Sequence, residues 1–102
     1  MRKVIDGKVY DTKTATNIAI WEPNPDTGNF HYICETLCRT RKGKYFVHGC
    51  GHGFTKWAWS DGRNSGMGEG IEPLTDDEAL HWCEKRGVSA DIIEELFKIS
   101  EA

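Results

Sequence analysis

Three of the four cysteines and three of the four histidines fall in one stretch, Asn29 to Gly53, NFHYICETLCRTRKGKYFVHGCGHG. Within it, Cys34, Cys38, His48, Cys50 and His52 are residue types that zinc takes as tetrahedral ligands. Strand geometry trims that set. Positions four apart on a strand are about 13 Å apart, so Cys34 and Cys38 cannot share one ion. Positions two apart are within about 7 Å on one face, which suits His48 with Cys50 or Cys50 with His52. A metal site would therefore use Cys34, His48, Cys50 and His52, or draw its fourth ligand from His81 or Cys83. The chain has no CxxC pair, and small thiols that pack in the core are the preferred reading. No metal and no cofactor is expected.

The same residues offer one enzymatic alternative, a Cys50 nucleophile with His48 or His52 as base in His48-Gly49-Cys50-Gly51-His52. Its glycines would let a substrate approach closely. No orienting partner or oxyanion hole accompanies it, so the chain is read as a non-enzyme. Gly66-Met67-Gly68-Glu69-Gly70 lacks the GK[ST] ending of a phosphate loop and is read as a flexible connection.

Two charged regions are candidates for binding. Arg39, Arg41, Lys42 and Lys44 cluster around one predicted turn, with Trp57 and Trp59 further along as stacking platforms for nucleic acid. Asp76, Asp77, Glu84, Asp91, Glu94 and Glu95 would give a negative face to a basic protein partner. Residues 1–66 hold ten Lys/Arg against six Asp/Glu, whereas residues 67–102 hold three against ten. The net charge of −3 thus conceals a basic part and an acidic part.

Positioning these residues requires a hairpin. Thr40-Arg41-Lys42-Gly43-Lys44 places a glycine where a three-residue loop needs a left-handed residue. That loop pairs Cys38 with Phe46, Thr36 with His48 and Cys34 with Cys50, which puts Cys34, Cys38, His48 and Cys50 on one face. A two-residue loop over Lys42-Gly43 would shift the register by one and separate them. The three-residue form is preferred. Before it, Val4–Tyr10 reads as a hairpin turning at Asp6-Gly7, and Asn17–Trp21 as a third strand. After it, Phe54–Trp59 reads as an edge strand and Ser60–Gly70 as a mobile connection. Thr75 and Glu78 form a capping box for a first helix closed by Gly87, and Ser89 caps a second. Trp82 and Phe97 are the expected core anchors.

The predicted fold is α+β: an antiparallel sheet of four or five strands followed by two C-terminal helices packed on it. A single domain spans residues 1–102, with a β part over 1–59, a Gly-rich loop over 60–72 and two helices over 73–100. The N-terminal residues lack the apolar core of a signal peptide, and no apolar run approaches a membrane span. A cytoplasmic protein with reduced thiols and no membrane partner is expected.

Three segments carry a resemblance. They are Lys3-x-Ile5-x-Gly7-Lys8-x-Tyr10-Asp11-Thr12-x-Thr14-Ala15, Glu35-Thr36-Leu37-x-Arg39-Thr40-x-x-Gly43-x-Tyr45-Phe46, and Ile71-x-Pro73-Leu74-Thr75-x-x-Glu78-Ala79. In order, they resemble a family of small, mostly uncharacterised proteins of bacterial mobile elements and phages, especially of Gram-positive hosts. The resemblance implies an accessory protein of a mobile element. Anti-CRISPR proteins belong to the same setting, and by analogy the expected function is a non-enzymatic inhibitor or modulator. Its partner would be a host nucleic-acid-handling defence complex, a CRISPR effector or another nuclease. A small nucleic-acid-binding regulator is the alternative. Cys38 stands where the family pattern has an aromatic residue, Cys50 where it has an acidic one, and Cys83 where it has a larger aliphatic one. A zinc site or thiol catalyst would thus be peculiar to this chain.

Overall fold

A computed structural model describes residues 1–102. Strands β1 (Arg2–Ile5) and β2 (Lys8–Asp11) form a separate two-stranded hairpin. Asp6 and Gly7 both take positive φ, 50° and 75°, as the type I′ turn requires. β3 (Thr16–Trp21), β4 (Ile33–Arg39), β5 (Tyr45–Gly51) and β8 (Gly68–Leu74) make a four-stranded antiparallel sheet in the order β3-β4-β5-β8. β6 (Trp59–Ser60) and β7 (Ser65–Gly66) pair as a small ribbon. α1 (Asp76–Lys85) and α2 (Ala90–Leu96) follow. The fold is α+β.

The central hairpin takes the three-residue loop. The Thr40 amide donates to the Lys44 carbonyl at 2.8 Å, and Gly43 sits at φ 85°. The resulting register pairs Cys34 with Cys50, Thr36 with His48 and Cys38 with Phe46. Alternation then sorts the side chains. Glu35, Leu37, Tyr45 and Val47 face the helices, where Leu37, Tyr45 and Val47 pack with Ala79, Trp82 and Cys83. Cys38 and Phe46 face the opposite side and pack with Ile71 and with Tyr10 of β2. Tyr10 meets Phe46 edge to face at 5.5 Å, so the β1–β2 hairpin lies as a third layer over the turn end of the sheet.

The helix boundaries follow their local signals. The Glu78 amide donates to Thr75 Oγ1 at 3.1 Å and the Thr75 amide to Glu78 Oε1 at 2.9 Å, which is the capping box. Gly87 at φ 72° ends α1, with the Val88 amide reaching back to the Cys83 carbonyl. Ser89 precedes α2, but its side chain makes no cap hydrogen bond. Trp82 is buried, whereas Phe97 is only half-buried and stacks on Tyr45 at 5.3 Å.

Two expectations are overturned on the C-terminal side of the hairpin. The predicted strand Phe54–Trp59 is a turn-rich crossing segment that reaches β structure only at Trp59. The predicted loop over residues 60–72 holds β7 and most of β8, including the glycines read as a flexible connection. The physical reason is a trough. Gly49 of β5 pairs with Gly70 of β8, and Gly51 with Gly68. The segment between β5 and β6 lies across these four glycines. A Cβ on Gly49 would fall 2.0 Å from the Trp57 ring, and one on Gly68 would fall 2.1 Å from the Trp57 carbonyl oxygen. Glycine is used here for close approach, inside strands.

Gly49→Ala is therefore expected to lower stability by about 1–3 kcal/mol by displacing Trp57. Urea unfolding checks the magnitude, and a red shift of native tryptophan emission checks the cause. Gly70→Ala, whose Cβ would meet the same ring at 3.3 Å, is expected to cost less.

Candidate functional site

The residues with chemical capacity divide into an interior carboxylate, an outer-face set of thiols, and three surface regions. The carboxylate is Glu35, in the middle of β4 and 2% exposed. Strand alternation turns it toward the helices, opposite Gly49. Trp82 of α1 donates its indole N–H to Oε1 at 2.9 Å, and Trp57 of the crossing segment donates to Oε2 at 2.9 Å. Arg86 Nη2 donates to Oε1 at 3.3 Å, and its guanidinium lies 3.5 Å from the centroid of the Trp21 ring. Burial pushes the Glu35 carboxyl up. The hydrogen bonds from Trp82 and Trp57 and the charge of Arg86 outweigh it, and the group is held below its ordinary value. Both oxygens are occupied by donors, so Glu35 is a structural acceptor.

Cys34 and Cys50 face each other across β4 and β5 on the outer face, and all four thiols are free. Burial pushes every one of them up, Cys38 to about 11, so each is a neutral thiol at neutral pH. For Cys50 the nearby Glu69 adds to the effect of burial. His48 Nε2 lies 2.8 Å from Glu69 Oε2, while the His52 ring lies against Phe30 at 6.3 Å. The structure thus brings Cys34 and Cys50 together and draws His48 and His52 to other partners. No three His, Cys, Asp or Glu side chains converge in a geometry that holds a metal ion.

The basic turn is regrouped. Arg41, Lys42 and Lys44 line a cleft of about 500 Å³ between the two hairpins, joined by Arg2 and Lys8 from the β1–β2 hairpin. Arg39 lies on the other face, its guanidinium 5.3 Å from the Tyr45 ring centroid. Trp57 is half-buried. Its N–H is bound to Glu35, one side of its ring covers the glycine trough, and Lys56 Nζ lies 4.9 Å from its centroid. Trp59 is 53% exposed and packs near Gly66, at the far end of the sheet from the basic turn. That separation is about 20 Å, six residues of strand rise.

Asp76, Asp77, Glu84, Asp91, Glu94 and Glu95 are all exposed, and none enters an ion pair. Sequence reasoning missed two features. One is Glu35, which reads as an ordinary polar position on a strand. The other is an exposed aromatic group in which Phe30 and Phe54 meet at 5.6 Å and His31 and Phe54 at 5.0 Å. The register that pairs Cys34 with Cys50 carries on to Phe30 and Phe54, so that group was within reach of the sequence.

Comparison with known protein families, curated proteins and solved structures returned no match. The resemblance to mobile-element proteins accordingly rests on the three motif segments alone. No helix is long and apolar enough to cross a membrane.

Because the Glu35 carboxyl is held low in the folded state, its contribution is present above the ordinary Glu value of about 4.3 and is lost as pH falls through the folded value. Glu35→Gln would set an amide N–H₂ against an indole or guanidinium donor, and is expected to cost about 3 kcal/mol at neutral pH. Denaturant unfolding across pH checks the assignment, since the gap between wild type and variant should narrow as the solution is acidified.

Proposed function

We propose that the chain is a non-enzymatic binding protein of a mobile element, an anti-CRISPR-like modulator that docks on a host nucleic-acid-handling defence complex. The observation that carries this reading is the helical surface. Six exposed carboxylates, Asp76, Asp77, Glu84, Asp91, Glu94 and Glu95, stand on two successive helices without a cation of the fold engaging any of them. Proteins that handle nucleic acid present basic grooves, and an array of unpaired carboxylates is the complement such a groove recognises.

The resemblance to mobile-element proteins supplies the setting. Glu35 has both oxygens bound by donors, and the thiols are neutral. In this reading the groups that act are surface charges. Rim charges of this kind act mainly on the association rate and on salt dependence, so the complex is expected to weaken with ionic strength.

The test is an interference assay in a host carrying an active defence nuclease, with wild type compared against Asp91→Lys, Glu94→Lys and Glu95→Lys combined. Wild type is expected to restore survival of the targeted plasmid, and the charge-reversed chain to lose at least about tenfold of that effect while remaining folded. A wild type without effect would overturn the reading. Full protection by the reversed chain would remove the helix surface from it.

A further inference from the structure

We propose that the cleft between the two hairpins is a binding site for the phosphate backbone of nucleic acid. It adjoins the helix carboxylates but is lined by other residues, and it goes beyond their docking role. Arg2 and Lys8 from the β1–β2 hairpin and Arg41, Lys42 and Lys44 from the β4–β5 turn line one space of about 500 Å³. No sequence window unites them, because the two groups lie some thirty residues apart along the chain. The packing of Tyr10 on Phe46 brings them together.

The charge balance of the lining is one-sided. Its only carboxylate is Asp11. One Asp11 oxygen accepts from the Lys13 amide at 2.9 Å, and the other lies 3.9 Å from Arg2 Nε. Lys8, Arg41, Lys42 and Lys44 enter no ion pair. Asp76, Asp77 and Glu78 border Lys8 and Lys44 from the far side without pairing with them, which leaves a bound anion as the natural counter-charge inside the cleft.

The spread of the cations says what kind of anion. Arg2 pairs across the hairpin with Asp11, and Lys8 with Ile5, three residue pairs further along. That separates them by about 10 Å along the hairpin and, three being odd, turns them to its opposite faces. Cations spread around a cleft in this way match a chain with charge at every unit better than one compact ion. A phosphodiester backbone is such a chain. Thr40 adds a hydroxyl whose oxygen accepts from the Lys44 amide and whose proton is free to donate. Lysine, arginine and hydroxyl donors are the side chains that typically hold phosphates. No exposed aromatic ring lines the cleft for a base to stack on, since Tyr10 is buried against Phe46. Binding is therefore through the backbone and indifferent to sequence.

The experiment is fluorescence anisotropy of a labelled single-stranded DNA of about 20 nucleotides, and of its duplex, titrated with the full chain between about 50 and 200 mM salt. Affinity is expected to fall steeply with salt for at least one of the two probes. Lys8→Gln with Arg41→Gln is expected to weaken it about tenfold and to flatten the salt slope by about two units. Lys85→Gln with Lys98→Gln carries the same net charge and is expected to change affinity less than about twofold. Circular dichroism shows that each variant is folded. Absence of binding at the lowest salt would overturn the proposal, as would equal losses in the two double variants. Displacement of the DNA by polyglutamate at matched charge would overturn it in favour of an acidic protein partner. These outcomes are read with no host complex present, so they stand or fall apart from the docking role of the helices.

Discussion

A single buried carboxylate ties the layers of this fold together. Glu35 sits in β4, yet its three donors come from two other elements: Trp57 from the crossing segment, and Trp82 and Arg86 from α1 and its C-terminal cap. Arg86 in turn lies over Trp21 of β3. Sheet, helix and crossing loop thus share one electrostatic acceptor. Two indole N–H groups and a guanidinium under the helices would each need a partner, and unpaired they would cost about 1–3 kcal/mol apiece or more. An apolar residue in place of Glu35 would leave all three without this acceptor.

The glycine trough is the steric counterpart of that acceptor. Trp57 can reach Glu35 only if its ring lies flat on β5 and β8, and a side chain at Gly49 would occupy the same space. Electrostatics and sterics therefore demand opposite things of neighbouring strands. β4 must present a long polar side chain where β5 and β8 present none. The motif His48-Gly49-Cys50-Gly51-His52 is explained by this requirement: its glycines face the crossing segment, and its other residues face outward. What resembles a reactive cluster in one dimension is an alternation between two faces.

How far the sequence discloses the fold depends on whether its signals are local. Gly43 favoured the observed hairpin register because it fills the left-handed slot of a three-residue loop, and Thr75 with Glu78 set the start of α1 because a capping box is complete within four residues. β8 was hidden because Gly68 and Gly70 are strand residues only in the presence of Trp57, more than ten positions earlier. The half-burial of Trp57 was hidden for the same reason, since it depends on strands that flank it on both sides. At the surface, Arg41, Lys42 and Lys44 were evident from composition. Arg2 and Lys8 were not, because only the third layer carries them to the same cleft.

That third layer also decides how the charges relate to one another. Lys8, Tyr10 and Lys44 form a ridge: on one side lies the cationic cleft, and on the other a depression bordered by Asp76, Asp77 and Glu78 at the start of α1. Opposite charges are thus close in space but kept apart by a ridge anchored on the Tyr10–Phe46 contact. Glu78 is held by Thr75 and cannot swing across to the lysines, whereas Asp76 and Asp77 remain free. A polyanion in the cleft would be repelled at the α1 end and so confined to run along the hairpins. A basic protein partner would meet carboxylates from that ridge onward. The fold thereby offers two adjoining surfaces of opposite sign.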